Sequence, residues 1–139
     1  MHKLFIKEDF KFFLGFTFIH AKAVYLQNNQ LLPLVPSNKL NLALVYEKEK
    51  NFKIGFEVYF IDRQSLYNRN QTPSFWIFGF MAEKTLYRIA VFINSENFTD
   101  QRQSNYKRVL NPPNNNQVFD DIWNHIEGRT FNGGVKIKL

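Results

Sequence analysis

Apolar side chains recur at every second position in six separate segments of this sequence, and that repeat limits the fold more than any other feature. Phe10, Phe12, Leu14, Phe16 and Phe18 alternate with Lys11, Gly15 and Thr17, with Phe13 the exception. Leu40, Leu42, Leu44 and Tyr46 alternate with Asn41, Ala43 and Val45. Phe52, Ile54, Phe56, Val58 and Phe60 alternate with Lys53, Gly55, Glu57 and Tyr59, the cleanest case. The pattern returns at Trp76, Phe78, Phe80 and Ala82, at Ile89, Val91 and Ile93, and at Phe131, Gly133, Val135, Ile137 and Leu139. Successive side chains of a strand point to opposite faces, so a two-residue period predicts a sheet with one apolar face and excludes an amphipathic helix. Residues 118–126 are expected to hold at most one short helical turn. The 16 Phe among 139 residues suit this reading, because aromatic side chains favour strands.

The connections alternate in length. Residues 25–37, with Pro33 and Pro36, form a long link, and residues 47–51 a tight polar turn. Residues 63–74 form a second long link, Lys84-Thr85-Leu86 a short turn, and residues 100–128 the longest link of all. Short turns at one end and long loops at the other are the asymmetry of an outer-membrane β-barrel. The expected fold is therefore all-β, six antiparallel strands with alternating short turns and long loops, part of a transmembrane β-barrel. Residues 1–8 are expected to be an N-terminal extension and 9–139 the barrel portion. A soluble antiparallel sheet with one face on a core produces the same alternation. The two readings differ in whether the Phe rows face lipid or a second packed layer.

Composition closes other routes. No apolar run approaches the roughly 20 residues of a membrane-spanning helix. There is no cysteine, hence no disulfide framework and no thiolate metal site. The apolar stretch 12–19 imitates a secretion signal, but Glu8, Asp9 and Lys11 interrupt it, and it reads as a strand. His2, His20 and His125 are too scattered to form a ligand set, and Asp120-Asp121 would point opposite ways on an extended chain. The sequence holds no nucleophile elbow, zinc-protease helix, P-loop or dinucleotide fingerprint. No enzyme activity, metal or cofactor is expected. Eighteen Lys and Arg against 12 Asp and Glu give a net charge of +6. Arg102, Lys107 and Arg108 with Tyr106 form one basic and aromatic cluster, as single-strand nucleic-acid binders use. The remaining charge is spread over all segments, so nucleic acid is not the favoured partner. The alternative function is a soluble β domain binding a small ligand or single-stranded nucleic acid.

The final residues Asn132, Gly134, Ile137 and Leu139 fit the pattern polar, x, Gly, x, x, apolar, x, apolar. This resembles the C-terminal signal read by bacterial barrel-assembly machinery, whose last residue is usually aromatic. Asn94, Asn97, Asp100 and Arg102 give an N-x-x-N-x-x-D-x-R run before the longest loop, and residues 127–134 lead from that loop into the last strand. Pro36, Leu40 and Asn41 give a P-x-x-x-L-N transition into the second strand. Together these resemble the C-terminal barrel of TonB-dependent outer-membrane receptors, with a Bacteroidetes flavour, over nearly the whole chain.

The resemblance implies energised uptake of siderophores, cobalamin or glycans across the outer membrane. It implies as partners outer-membrane lipid, the barrel-assembly machinery, and the remaining receptor strands and plug, supplied by another chain. TonB would act only through that plug, so the chain is expected to represent the last six strands of a truncated or split receptor. In such receptors the loops meet the ligand. Carried onto this sequence, that points to Tyr67, Asn68 and Arg69 of the second long loop. In the third it points to Tyr106, Arg108, Asn114, Trp123 and His125. Trp76, Tyr46, Tyr59 and Tyr87 lie near strand ends, where an interfacial aromatic girdle would be expected.

Overall fold

The computed structural model describes residues 2–7, 9–25, 31–113 and 115–137, the first group by its backbone alone. One antiparallel sheet dominates it. Its strands are β1 (His2–Lys7), β2 (Phe10–Phe18), β3 (Asn38–Lys48), β4 (Phe52–Ile61), β5 (Phe75–Leu86), β6 (Ile89–Glu96) and β9 (Thr130–Ile137). They pair in the order β1-β2-β3-β4-β5-β6-β9. A short hairpin of β7 (Leu110–Asn111) and β8 (Val118–Phe119) interrupts the longest loop. All six strands expected from the alternation are present. Residues 2–7, expected to be an extension, add a further strand on the β2 edge.

The register carries each apolar row across the sheet. Phe12, Leu44, Phe56 and Phe80 lie side by side, as do Phe16, Leu40, Phe60 and Trp76. Phe10, Tyr46, Ile54, Ala82, Ile93 and Gly133 form another row. Residues directly opposite in an antiparallel pair share a face, so these rows make one continuous apolar surface. The other face carries Lys11, Lys39, Asn41, Glu57, Glu83, Asn94 and Lys136 among apolar residues such as Ile77, Met81 and Phe92. Phe13, the exception to the alternation, lies on that second face.

The apolar face is uncovered. Phe16, Phe131 and Ile137 are 66%, 61% and 66% exposed, and among the described residues no apolar side chain of this face is buried. The soluble reading requires a second layer there, and among the described residues none lies on it. The buried core lies on the opposite face, at the loop end. Phe75 and Ile77 of β5 pack there with Trp123 from the longest loop, flanked by Leu34, Ile61 and Leu66.

One turn differs from expectation. β5 runs through Leu86, and the reversal falls at Tyr87-Arg88, with Tyr87 in the left-handed region at φ 57°. Residues 118–126 start with the short strand β8 and contain no helical turn, and among the described residues the one 3₁₀ turn is Gln103–Asn105. The aromatic girdle residues divide. Trp76 and Tyr46 lie on the apolar face near opposite strand ends, against Phe60 (4.7 Å) and Phe10 (4.5 Å). Tyr87 caps a turn, fully in the open. Tyr59, by contrast, lies on the polar face and donates to Glu57 Oε2 at 3.0 Å.

Gly134 owes its place to close approach. A Cβ at Gly134 would stand 2.8 Å from Cζ of Phe92, the residue directly across the strand pair. The Phe92 ring thus lies over the glycine, with Lys136 Nζ 5.1 Å from its centroid. Gly134→Val is expected to displace the ring and destabilise the β6–β9 edge by about 1–3 kcal/mol. Urea unfolding should show this loss, and the added substitution Phe92→Ala should recover much of it.

Candidate functional site

All three long connections, 19–37, 62–74 and 97–129, leave from one end of the sheet, and the short turns lie at the other. The loops converge because each has its own internal hydrogen bonds and gives one apolar residue to the shared core. In the first, Ile19 N–H donates to Ser37 O (2.8 Å), and Leu34 N–H reaches Ser65 O of the second (2.8 Å). In the second, Gln64 and Thr72 bond to each other twice, which closes a small projection with Tyr67, Asn68 and Arg69 at its tip.

The third loop is organised by Gln103, which is fully buried. Its Nε2 donates to Asp121 O at 2.7 Å, and its Oε1 accepts from Trp123 N–H (2.9 Å) and Asn124 N–H (3.4 Å). Its own N–H donates to His125 O at 2.8 Å. A single side chain thus fixes the returning limb 121–125 and drives Trp123 onto Phe75, with ring centroids 6.0 Å apart. Gln64 Nε2 adds a bond to Trp123 O at 3.1 Å.

The base of this loop is held by the residues of the N-x-x-N-x-x-D-x-R run. Asn94 Nδ2 donates to Asn132 Oδ1 across β6 and β9 (2.9 Å). The Asn97 side chain bonds both N–H and C=O of Gln101, each at 2.8 Å. Asp100 accepts from Arg102 (2.8 Å) and from Arg129 N–H (3.3 Å), and its Oδ1 occupies the space a side chain at Gly128 would need. The run therefore ties the start of the loop to its end. Asp100→Ala is expected to raise proteolysis between 101 and 129 about tenfold while the strand spectrum stays unchanged.

These contacts frame a recess of about 660 Å³ on the polar face. Its floor is Lys39, Asn41, Glu57, Tyr59, Ile77, Gly79 and Glu96, and its rim Asn97, His125, Glu127, Gly128 and Thr130. Three carboxylates face one lysine and one histidine. Among the described residues no group of three or more His, Asp or Glu could hold a metal ion.

The residues expected to meet a ligand are not brought together. His125 alone lines the recess. Trp123 is only 9% exposed, so burial makes it an anchor of the loop and removes it from a ligand-contacting surface. Tyr106 packs against Trp123 at 5.6 Å, and with Leu66, Gln71 and Pro73 it borders a separate shallow hollow. Tyr67, Asn68 and Arg69 project into the open at a loop tip, and Arg108 is exposed on the third loop. Asn114 lies outside the described residues. The basic cluster is largely neutralised, with Arg102 on Asp100 and Lys107 on Asp120 (2.9 Å). Asp120 and Asp121 turn to different partners, Lys107 and the Tyr67 N–H. Of the terminal pattern, Asn132 and Gly134 serve the β6 contact, Ile137 stands exposed on the apolar face, and Leu139 lies outside the described residues. The sequence reading does not single out Glu57, Tyr59 and Glu96, which line the floor of the recess. Their signal was the polar side of the strand alternation.

Two loop-end carboxyls sit below the ordinary carboxylate range. Asp62 is held down by the Asn38 amide (2.6 Å) and the Arg63 N–H, and Asp120 by the Asn111 amide (3.0 Å) and Lys107. A lowered folded value means these contacts stabilise fully above the unfolded value near pH 4 and fade as pH falls through the folded values. Proteolysis of residues 107–121 is expected to be flat from neutral pH down to about 5 and to rise below about 4. Asp120→Asn should flatten that rise.

No family model matches this sequence, and no curated protein matches it. Solved structures do match. The ferric enterobactin receptor PfeA in complex with BCV-L6 superposes on 97% of this chain with a TM-score of 0.68 and 17% identity. A point mutant of PfeA from Pseudomonas aeruginosa, in complex with enterobactin, superposes on 72% with a TM-score of 0.61 and 16% identity. The chain covers 21% and 16% of those receptor chains, about a fifth of their length. Its fold is similar to that of a segment of these receptor chains.

Proposed function

We propose that this chain is the C-terminal part of the barrel wall of a TonB-dependent outer-membrane receptor, and that its recess faces the lumen through which a scarce nutrient is imported. The observation that carries this reading is the uncovered apolar face. A wall of Phe, Leu, Ile and Val with a polar reverse suits lipid outside and water inside. The ten residues of β4, at about 3.3 Å each and tilted by about 40°, span roughly the 25 Å of an apolar barrel belt. The long loops at one end are the extracellular set, and the short turns face the periplasm.

In vesicles that hold this chain alone the open edges at β1 and β9 pair between copies, and in the receptor they need partners, because unpaired strand edges are not tolerated in hydrocarbon. The remaining receptor strands and plug would supply them, barrel-assembly machinery would insert the wall, and TonB would act through the plug. His125, Glu57, Glu96 and Tyr59 are the side chains placed to meet cargo. Their carboxylate excess favours a hydroxyl-rich or cationic cargo, a glycan before a polyanionic siderophore.

The absence of cysteine makes a direct test simple. Single cysteines at Ile54, Phe56 and Val58, labelled with a polarity-sensitive dye, should report hydrocarbon in vesicles. Cysteines at Lys53, Glu57 and Tyr59 should report water. Equal polarity at both sets would overturn the wall reading. For the cargo, deletion of this chain in its host should abolish growth on one limiting iron, cobalamin or glycan source.

A further inference from the structure

The apolar face is not uniform. Near the short-turn end a shallow groove of about 410 Å³ crosses it, lined by Phe52, Ile54, Ala82, Lys84, Val91 and Ile93 together with Glu83 and Phe92. The groove exists because the small Ala82 stands directly between Ile54 and Ile93, where the next row toward the loops carries Phe80. At its mouth is Lys84, exposed, with its Nζ 5.8 Å from the centroid of the Phe52 ring and one proton directed to Asn51 Oδ1. Lys48 lies on the other side of Phe52 in the same row. Among the described residues neither lysine forms an ion pair. The nearby carboxylates Glu47 and Glu83 lie on the opposite face, held by Lys11 (2.5 Å) and Lys136 (2.7 Å).

We propose that this groove is a binding site for one anionic phospholipid, with an acyl chain over Ala82 and the phosphate between Lys84 and Lys48. The inference rests on the barrel-wall reading, which puts this end at the periplasmic interface. The occupant follows from the lining. The trough is mostly hydrocarbon; of the two charged residues that line it, Glu83 is neutralised by Lys136 on the opposite face, so Lys84 is the charge it presents, with Lys48 nearby at the depth where headgroup phosphates begin. Lysine stems on such a rim lie along the apolar surface and direct their ammonium groups to the interface. Each lysine near an anionic surface favours binding by about fivefold.

The test uses the full chain refolded into vesicles of phosphatidylcholine, alone or mixed with phosphatidylglycerol, followed by flotation, gentle detergent extraction and mass spectrometry of retained lipid. The wild type should float with both vesicles and retain phosphatidylglycerol selectively. Lys84→Gln, which removes the charge, and Ala82→Phe, which fills the trough, should both still float, and each should lower the retained phosphatidylglycerol at least fivefold. Retention that survives Ala82→Phe would overturn the site and leave only diffuse attraction to lysines. Retention that survives Lys84→Gln would overturn the role of the phosphate. Failure to float with either vesicle would overturn the wall reading, and the lipid site with it.

Discussion

Phe56→Arg is expected to abolish membrane insertion. Phe56 occupies the middle of β4, in a row with Phe12, Leu44 and Phe80 on the uncovered face. Arginine at the midplane of a barrel's lipid face costs about 2–4 kcal/mol, roughly a 30- to 1,000-fold loss of the inserted form. The adjacent substitution Glu57→Arg adds the same side chain one residue along. It lies on the polar face, so its cost should stay within about 1 kcal/mol. The check is refolding of each variant into vesicles along a urea series, scored by the folded band on an unheated gel. Equal loss from both would contradict the assignment of faces.

The second large effect falls in the longest loop. Gln103→Ala removes one side chain and leaves the Asp121 carbonyl and the Trp123 and Asn124 N–H groups without their partner. Unsatisfied buried groups of this kind should cost about 3 kcal/mol together. The loop, and not the sheet, should open, because these bonds join loop segments. Proteolysis within 104–129 should rise about a hundredfold, with the β spectrum unchanged. Gln103→Glu keeps the acceptor and loses the donor, so its effect should be intermediate. A wild-type digestion rate for the alanine variant would remove Gln103 from its organising role.

The strands were legible because their pattern is local. Phe52 to Phe60 could only be a half-apolar strand, and the structure begins β4 at Phe52. The turn at Tyr87-Arg88 was missed for a physical reason. Neither residue is a usual turn former, and Leu86 and Ile89 extend the flanking strands without a break, so nothing marks the reversal. β1 was missed because Leu4, Phe5 and Ile6 are consecutive apolar residues and lack a two-residue period.

The loop core is long-range in origin. Trp123 meets Phe75 only once Gln103 has folded the loop, and no spacing in the sequence announces that. The Asn94-to-Arg102 run was legible as a resemblance, and its physical role as a tie at the loop base needed coordinates. The recess was only half legible. His125 was marked as a loop residue, whereas Glu57, Tyr59 and Glu96 were visible only as the polar half of two strands.

The central claim is that the Phe-rich face contacts lipid. Its most direct measurement is fractionation of the chain expressed in its native host, followed by gel migration with and without heating. The account predicts recovery in the outer membrane, a β-sheet spectrum and a band whose mobility shifts on heating. Recovery as a soluble monomer with no heat-dependent shift would contradict it.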